Sequence, residues 1–214
     1  MGRNRRNAVP MHFILAIGRL AGEDGSMLFD GGRSVTTWQA VIEFWFDELT
    51  PDQWFAKSAE LDSLIHRRFG ECHRAAAAAE LYEWREQPLG RLAEVIVLDQ
   101  FSRNIYRDRP QSFQCDPLAL VLAQEAIAGG ADRDFDDQQR AFLYMPYMHS
   151  ESKLIQRQSL ALYQALGVEN NLRFARQHAD IIERFGRYPH RNAVLGRASS
   201  AEELEFLQQP GSSF

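Results

Sequence analysis

Cysteine is scarce in this chain of 214 residues: only Cys72 and Cys115 occur. Neither belongs to a Cys-x-x-Cys pair, which excludes zinc and dithiol redox motifs and points to a reducing, cytoplasmic compartment. Positive charge is also in deficit, with 24 Lys and Arg against 29 Asp and Glu and a formal net charge of -5. That balance argues against a dedicated nucleic-acid binder, although it leaves room for a local basic patch. No apolar run approaches the roughly 20 residues of a membrane helix, so no membrane partner is expected. Sustained period-two alternation is missing, as is any self-similarity near 34 residues. There is no glycine-rich phosphate loop and no His-Glu-x-x-His motif. The pairs His149/Glu151 and His178/Asp180 are two residues apart, a spacing that does not converge on one helix face. Neither a metal nor a cofactor is therefore expected.

What remains is ordinary globular composition, 45% hydrophobic and 25% charged. A chain of this length is expected to form one domain that buries roughly 70% of its unfolded surface. Residues 1–35 read as a poorly ordered extension. Arg3, Arg5 and Arg6 before Phe13-Ile14-Leu15-Ala16-Ile17 faintly mimic a secretory signal, but His12 and Arg19 bracket the run and no small-x-small cleavage site follows. From residue 36 to 214 the pattern predicts helix after helix. Trp38, Val41, Ile42, Trp45 and Phe46 form one apolar face. Thr50-Pro51-Asp52 opens a turn that Trp54 and Phe55 should close over the first helix. Ser58 caps the next helix, with Leu61, Leu64, Ile65 and Phe69 inward and Gly70 as an interruption. Pro88 should end the element that follows Ala75–Ala79. Further helices are predicted at about 89–107, from Asp116-Pro117 to Gly129, from Asp136 to a break at Pro146, from Ser150 or Ser152 to Gly167, at about 171–185, and from Ser200 with Glu203 as a capping box. The fold class is all-α, with about seven to nine helices packed as antiparallel neighbours across short connections.

Three polar clusters interrupt this pattern. In the first, Asp99, Arg103 and Arg107 share a stripe at about 100° per residue, with Gln100 and Asn104 beside it. Asp99 four residues before Arg103 is the favourable order for an ion pair, which would leave Arg107 and Asn104 to hold a ligand. A solvated helix face would look the same. The second cluster is His149-Ser150-Glu151. Ser150 and Glu151 suit a helix N-terminus, and His149 suits a proton carrier. The third gathers Arg187, His190, Arg191 and Arg197 with Tyr188 and Asn192 after a helix end. Capping of the last carbonyls accounts for one or two of these cations; the rest match a carboxylate or phosphate. His66 and His73 read as surface or packing residues, and both cysteines as small buried hydrophobes.

Phe44-Trp45-Phe46, then Leu98 through Arg107, His149-Ser150-Glu151, Gly186 through Asn192, and the terminal Pro210-Gly211-Ser212-Ser213-Phe214 occur in that order. In this combination the chain resembles the bacterial domain-of-unknown-function family numbered nine hundred and twenty-four. The resemblance spans about 37–214; the family commonly has Pro where this chain has Ser102. It implies membership of the tetratricopeptide-repeat-like superfamily, with antiparallel helix pairs in a right-handed array around a concave face. It implies no activity, substrate or cofactor. Three functions stay open. One is a pocket for an anionic small molecule or a peptide carboxylate, built from Asp99, Arg103, Asn104, Arg107, His149, Arg187, His190, Arg191 and Asn192; the chain's own Phe214 carboxylate is one occupant to consider. Another is a hydrolase or transferase with His149 or His190 as general acid or base and Asp99 or Glu151 orienting it. The last is a protein-interaction scaffold, and a homodimer is the base-rate assembly.

Overall fold

The computed structural model describes residues 36–213 and, before them, the backbone of two residue pairs. The chain divides into a unit of residues 1–35 and a unit of residues 36–214. In the first, β1 (Phe29–Asp30) pairs antiparallel with β2 (Arg33–Ser34), Phe29 opposite Ser34. The expected disorder of the extension otherwise lies outside the described residues, as does the placement of Phe214.

Every described element of the second unit is helical. Thr37 caps α1 (Trp38–Glu43) by accepting from the Ala40 amide at 3.3 Å. A π-turn (Phe44–Glu48) prolongs α1, and the short α2 (Pro51–Trp54) folds back on it. The fold-back is pinned by the Trp54 indole, which donates to the Trp45 carbonyl at 2.7 Å. Phe55, by contrast, is left 69% exposed. Ser58 caps α3 (Ala59–Ala77) through the Leu61 amide. Gly70 does not interrupt α3: a Cβ there would meet the His66 ring at 2.9 Å, so glycine makes room for a neighbour within a continuous helix.

The centre of this unit is a rod made of α4 (Pro88–Ile96), a π-turn (Val97–Phe101) and α5 (Ser102–Ile105). Pro88 bounds the preceding element, as expected, with Gln87 extended before it, and also opens this rod, because at the first helical position its missing N–H costs nothing. Every residue from Leu92 to Ser102 is buried, the polar Glu94, Asp99, Gln100 and Ser102 among them. The rod packs on α1, α3, α6 (Asp116–Ala128) and α7 (Asp137–His149). Entry into it is tight: a Cβ on Gly90 would lie 2.1 Å from the Trp84 carbonyl oxygen of the preceding 3-10 turn (Tyr82–Glu86). From that turn, Arg85 holds the fully buried Glu94 through two bonds of 2.7 Å.

Pro146 does not break α7. The helix runs through it to His149, with Leu143 to Met148 all buried. Packing on both sides of the proline outweighs the single backbone bond it removes. Then α8 (Lys153–Leu166) packs on α7 and α9 (Glu169–Phe185) packs on α8, each ended by a left-handed glycine, Gly167 and Gly186. A 3-10 turn (Pro189–Arg191) leads to α10 (Ala201–Phe206), opened by the Ser200–Glu203 capping box. A small apolar cluster of Ile181, Ile182 and Tyr188, with Phe185 and Phe206, joins α9 to this last stretch.

Candidate functional site

The π-turn in the central rod holds Asp99, whose carboxylate is 1% exposed. Burying a carboxylate demands partners, and Asp99 has three. His149, at the last position of α7, donates from Nδ1 to Oδ1 at 2.8 Å. The Gln100 amide donates to Oδ2 at 2.5 Å and also approaches the Met145 sulfur. Arg103, one turn on, lies 3.3 Å from Oδ1. Arg103 then reaches Asp116 at the start of α6 by a two-pronged pair at 3.0 and 3.1 Å. Asp116 accepts a further bond from Arg191 at 3.2 Å. Residues 99, 103, 116, 149 and 191 thus form one connected network drawn from four separate stretches of chain.

This network borders a cleft of about 600 Å³. Asp116, His149, Glu151 and Arg191 supply its ionisable lining, Gln111, Gln114 and Ser150 add neutral polar groups, and Phe113, Pro117, Pro146 and Leu195 are among its apolar walls. Arg191 is clamped between two rings, its guanidinium carbon 4.6 Å from the centre of Phe113 and 4.5 Å from that of Tyr188. Its Nη1 serves Asp116, while its Nε is buried and has no partner among the described residues.

Charge in the cleft follows from these contacts. Burial pushes the Asp99 carboxyl up, but Arg103, then His149 and Gln100, outweigh it and hold the group below its ordinary value. Asp99 is therefore ionised at neutral pH. Burial and the Arg103 charge push His149 down against the pull of Asp99, so its ring is neutral. With Nδ1–H donating to Asp99, the His149 lone pair sits on Nε2, and no described residue bonds that atom. A neutral imidazole in this tautomer can accept a proton from a bound molecule. Burial lowers His178 to about 3 and His190 to about 4, so both are neutral too. Their rings extend the line: His149 to His178 is 6.4 Å, His178 to Tyr188 5.6 Å, and Tyr188 to His190 5.5 Å.

The structure divides the residues nominated by the sequence. Asp99, Arg103, His149 and Arg191 come together, and His190 stacks near Tyr188. Asn104 and Arg107 turn away to Asp62 of α3, Arg107 binding both carboxylate oxygens at 2.5 and 2.7 Å. The expected stripe fails because α5 ends at Ile105 and Asp108 adopts a positive φ of 59°, so Arg107 is past the helix. Arg187 is committed to Glu203 and the Ala198 carbonyl, where it fastens α10. Asn192 bonds Ser199 and Arg197. Glu151 does line the cleft, but both its oxygens accept from Arg197 and one also from the Tyr188 amide.

Asp116 and Phe113 were missed. Asp116 reads in sequence as a helix-start residue, and only the pairing with Arg103 and Arg191 gives it a second role. His73, by contrast, packs as expected but does more: its Nε2 lies 2.7 Å from Ser102 Oγ, and its ring meets Tyr106 edge-on. It borders a second cleft of about 450 Å³ that shares Gln111 and Gln114 with the first. Among the described residues no three His, Cys, Asp or Glu side chains gather closely enough to hold a metal ion, and no helix is long and apolar enough to cross a membrane.

Comparison with known proteins gives a family and a fold. Residues 41–211 match the family described as "Bacterial protein of unknown function (DUF924)". A solved structure of a protein of unknown function from Agrobacterium tumefaciens is similar, with a TM-score of 0.77 and 40% identity over 80% of this chain and 96% of that one. No curated protein matches the chain. With four fifths of its length matched, this chain belongs to the DUF924 family of bacterial proteins of unknown function.

Proposed function

We propose that the cleft beside Phe113 binds an anionic small molecule, or the carboxylate end of a peptide, on Arg191. One observation carries this reading. Arg85, Arg107 and Arg187 each grip a carboxylate with Nε and Nη2, the side-on fork of the guanidinium. Arg191 is held just as firmly by two rings and Asp116, yet its Nε is buried with no described acceptor. A buried donor left without an acceptor costs about 1–3 kcal/mol, which a bound carboxylate would recover. The helical frame belongs to the same reading. Packing of α7 on α8 and α8 on α9 supports a tetratricopeptide-like array, and the free, buried Cys72 and Cys115 support a cytoplasmic setting.

Thermal unfolding against a panel of small carboxylates and phosphates tests it. A ligand at 100 times its Kd adds about 2.7 kcal/mol and should raise the melting temperature by about 5–10 °C. Arg191→Lys, which keeps the charge and loses the fork, should abolish the rise. Arg187→Ala should retain it, because Arg187 serves Glu203. A rise that survives Arg191→Lys would sink the proposal.

A second reading, a hydrolase or transferase, is favoured by the Asp99–His149 bond of 2.8 Å. It makes His149, oriented by Asp99, the general base, in preference to His190 and Glu151. On this reading esters or phosphoesters of small acids should turn over, and His149→Ala should lower the rate at least about 100-fold while circular dichroism stays unchanged. Turnover that persists in this variant would count against it.

A further inference from the structure

From the cleft's donors and acceptors we infer that its ligand is a hydroxycarboxylate: one carboxylate seated on Arg191 and, a few bonds away, a hydroxyl that donates to Nε2 of His149. This rests on the Arg191 reading above and goes on to specify the rest of the molecule.

Among the ionisable groups of the lining, few alternatives are left. Asp116 accepts three bonds, two from Arg103 and one from Arg191. Glu151 also accepts three, two from Arg197 and one from the Tyr188 amide. Both carboxylates in the wall are therefore well supplied with donors. His149 differs. Its Nδ1–H is spent on Asp99, Nε2 carries a lone pair, and the ring borders the cleft without a described partner at that atom. To satisfy these ionisable groups a ligand must bring one acceptor group, for Arg191, and one donor, for His149; Gln111 and Gln114 in the same lining can each donate or accept and so do not set the choice.

Charge restricts the donor. The acids Asp99, Asp116 and Glu151 are matched one for one by Arg103, Arg191 and Arg197. A ligand with two carboxylates would add two negative charges to a balanced, half-enclosed network, and an ammonium group would enter beside guanidinium ions whose acids are already engaged. A neutral hydroxyl avoids both penalties. The walls restrict the body. Pro110, Phe113, Pro117, Leu120, Pro146 and Leu195 line the same cleft and outnumber its amides, Gln111 and Gln114, so the group that joins or extends from the two polar ends is mainly apolar.

The test uses the full chain and pairs of acids that differ by one oxygen: lactate against propionate, and 3-phenyllactate against 3-phenylpropionate, titrated by calorimetry. Within a pair the carboxylate and body are constant, so the ratio of affinities reads the hydroxyl alone. The hydroxy acid should bind about fivefold to tenfold more tightly, the value of one net hydrogen bond. In His149→Ala the ratio should collapse to about one. The wild-type ratio stands even if that variant fails to fold. Equal binding within both pairs overturns the hydroxycarboxylate assignment and leaves the Arg191 reading intact. Binding of 3-phenyllactamide as tight as that of 3-phenyllactate overturns the Arg191 reading, and no binding by any of the acids overturns both.

Discussion

His178 and His190 illustrate how position decides the state of a single residue. Burial holds His178 at about 3; burial and the adjacent Arg191 hold His190 at about 4. In the unfolded chain both return to about 6.5. Between these values the unfolded chain binds protons that the folded chain refuses, so the stability tied to their neutrality is complete above about pH 6.5. It is lost as pH falls through the window to 4 and then 3. Each histidine contributes a slope of up to about 1.4 kcal/mol per pH unit there. Urea denaturation at several pH values should show a falling midpoint below pH 6.5, and His190→Asn should flatten the fall between pH 6.5 and 4. A slope indifferent to that substitution would mean that His190 titrates alike in both states.

At the level of elements, local signals were mostly sufficient. Ser58, Asp136 and the Ser200–Glu203 box start helices where their side chains predict, and Gly167 and Gly186 stop them. The errors have one origin. Gly70 and Pro146 are breakers by propensity, and tertiary packing overrides propensity at both. The two π-turns were also invisible, since nothing in a residue pattern marks an added residue in a helical ladder. Glycines separate the two kinds of constraint. Gly90→Ala would drive a methyl group against the Trp84 carbonyl and should cost at least about 3 kcal/mol, lowering the melting temperature by about 6–12 °C. Gly70→Ala meets only the His66 ring, which can rotate, and helix propensity favours alanine; its effect should stay within about 1 kcal/mol. A scan that found the two variants equally stable would contradict the close approach at Gly90.

For the whole molecule, the clusters were legible and their wiring was not. The sequence marks Asp99, Arg103, His149 and Arg191 by residue type, but it cannot tell that Arg107 leaves for Asp62 or that Arg187 leaves for Glu203, because those acids are 45 and 16 residues away. Competition among carboxylates for a limited set of arginines is settled only in three dimensions. Glu151 shows what that settlement does to the cleft. Through Arg197 and the Tyr188 amide it ties the turn after α9 to the start of α8, and Gln156 of α8 adds bonds to the Tyr188 hydroxyl and to the Met148 and Ser150 carbonyls. The bank that carries Arg191 is thereby riveted to the bank that carries His149. On the proposed reading, a mouth cross-tied this way should admit guests by gauge, and dissociation rates should track the breadth of the guest's body rather than the motion of any flap.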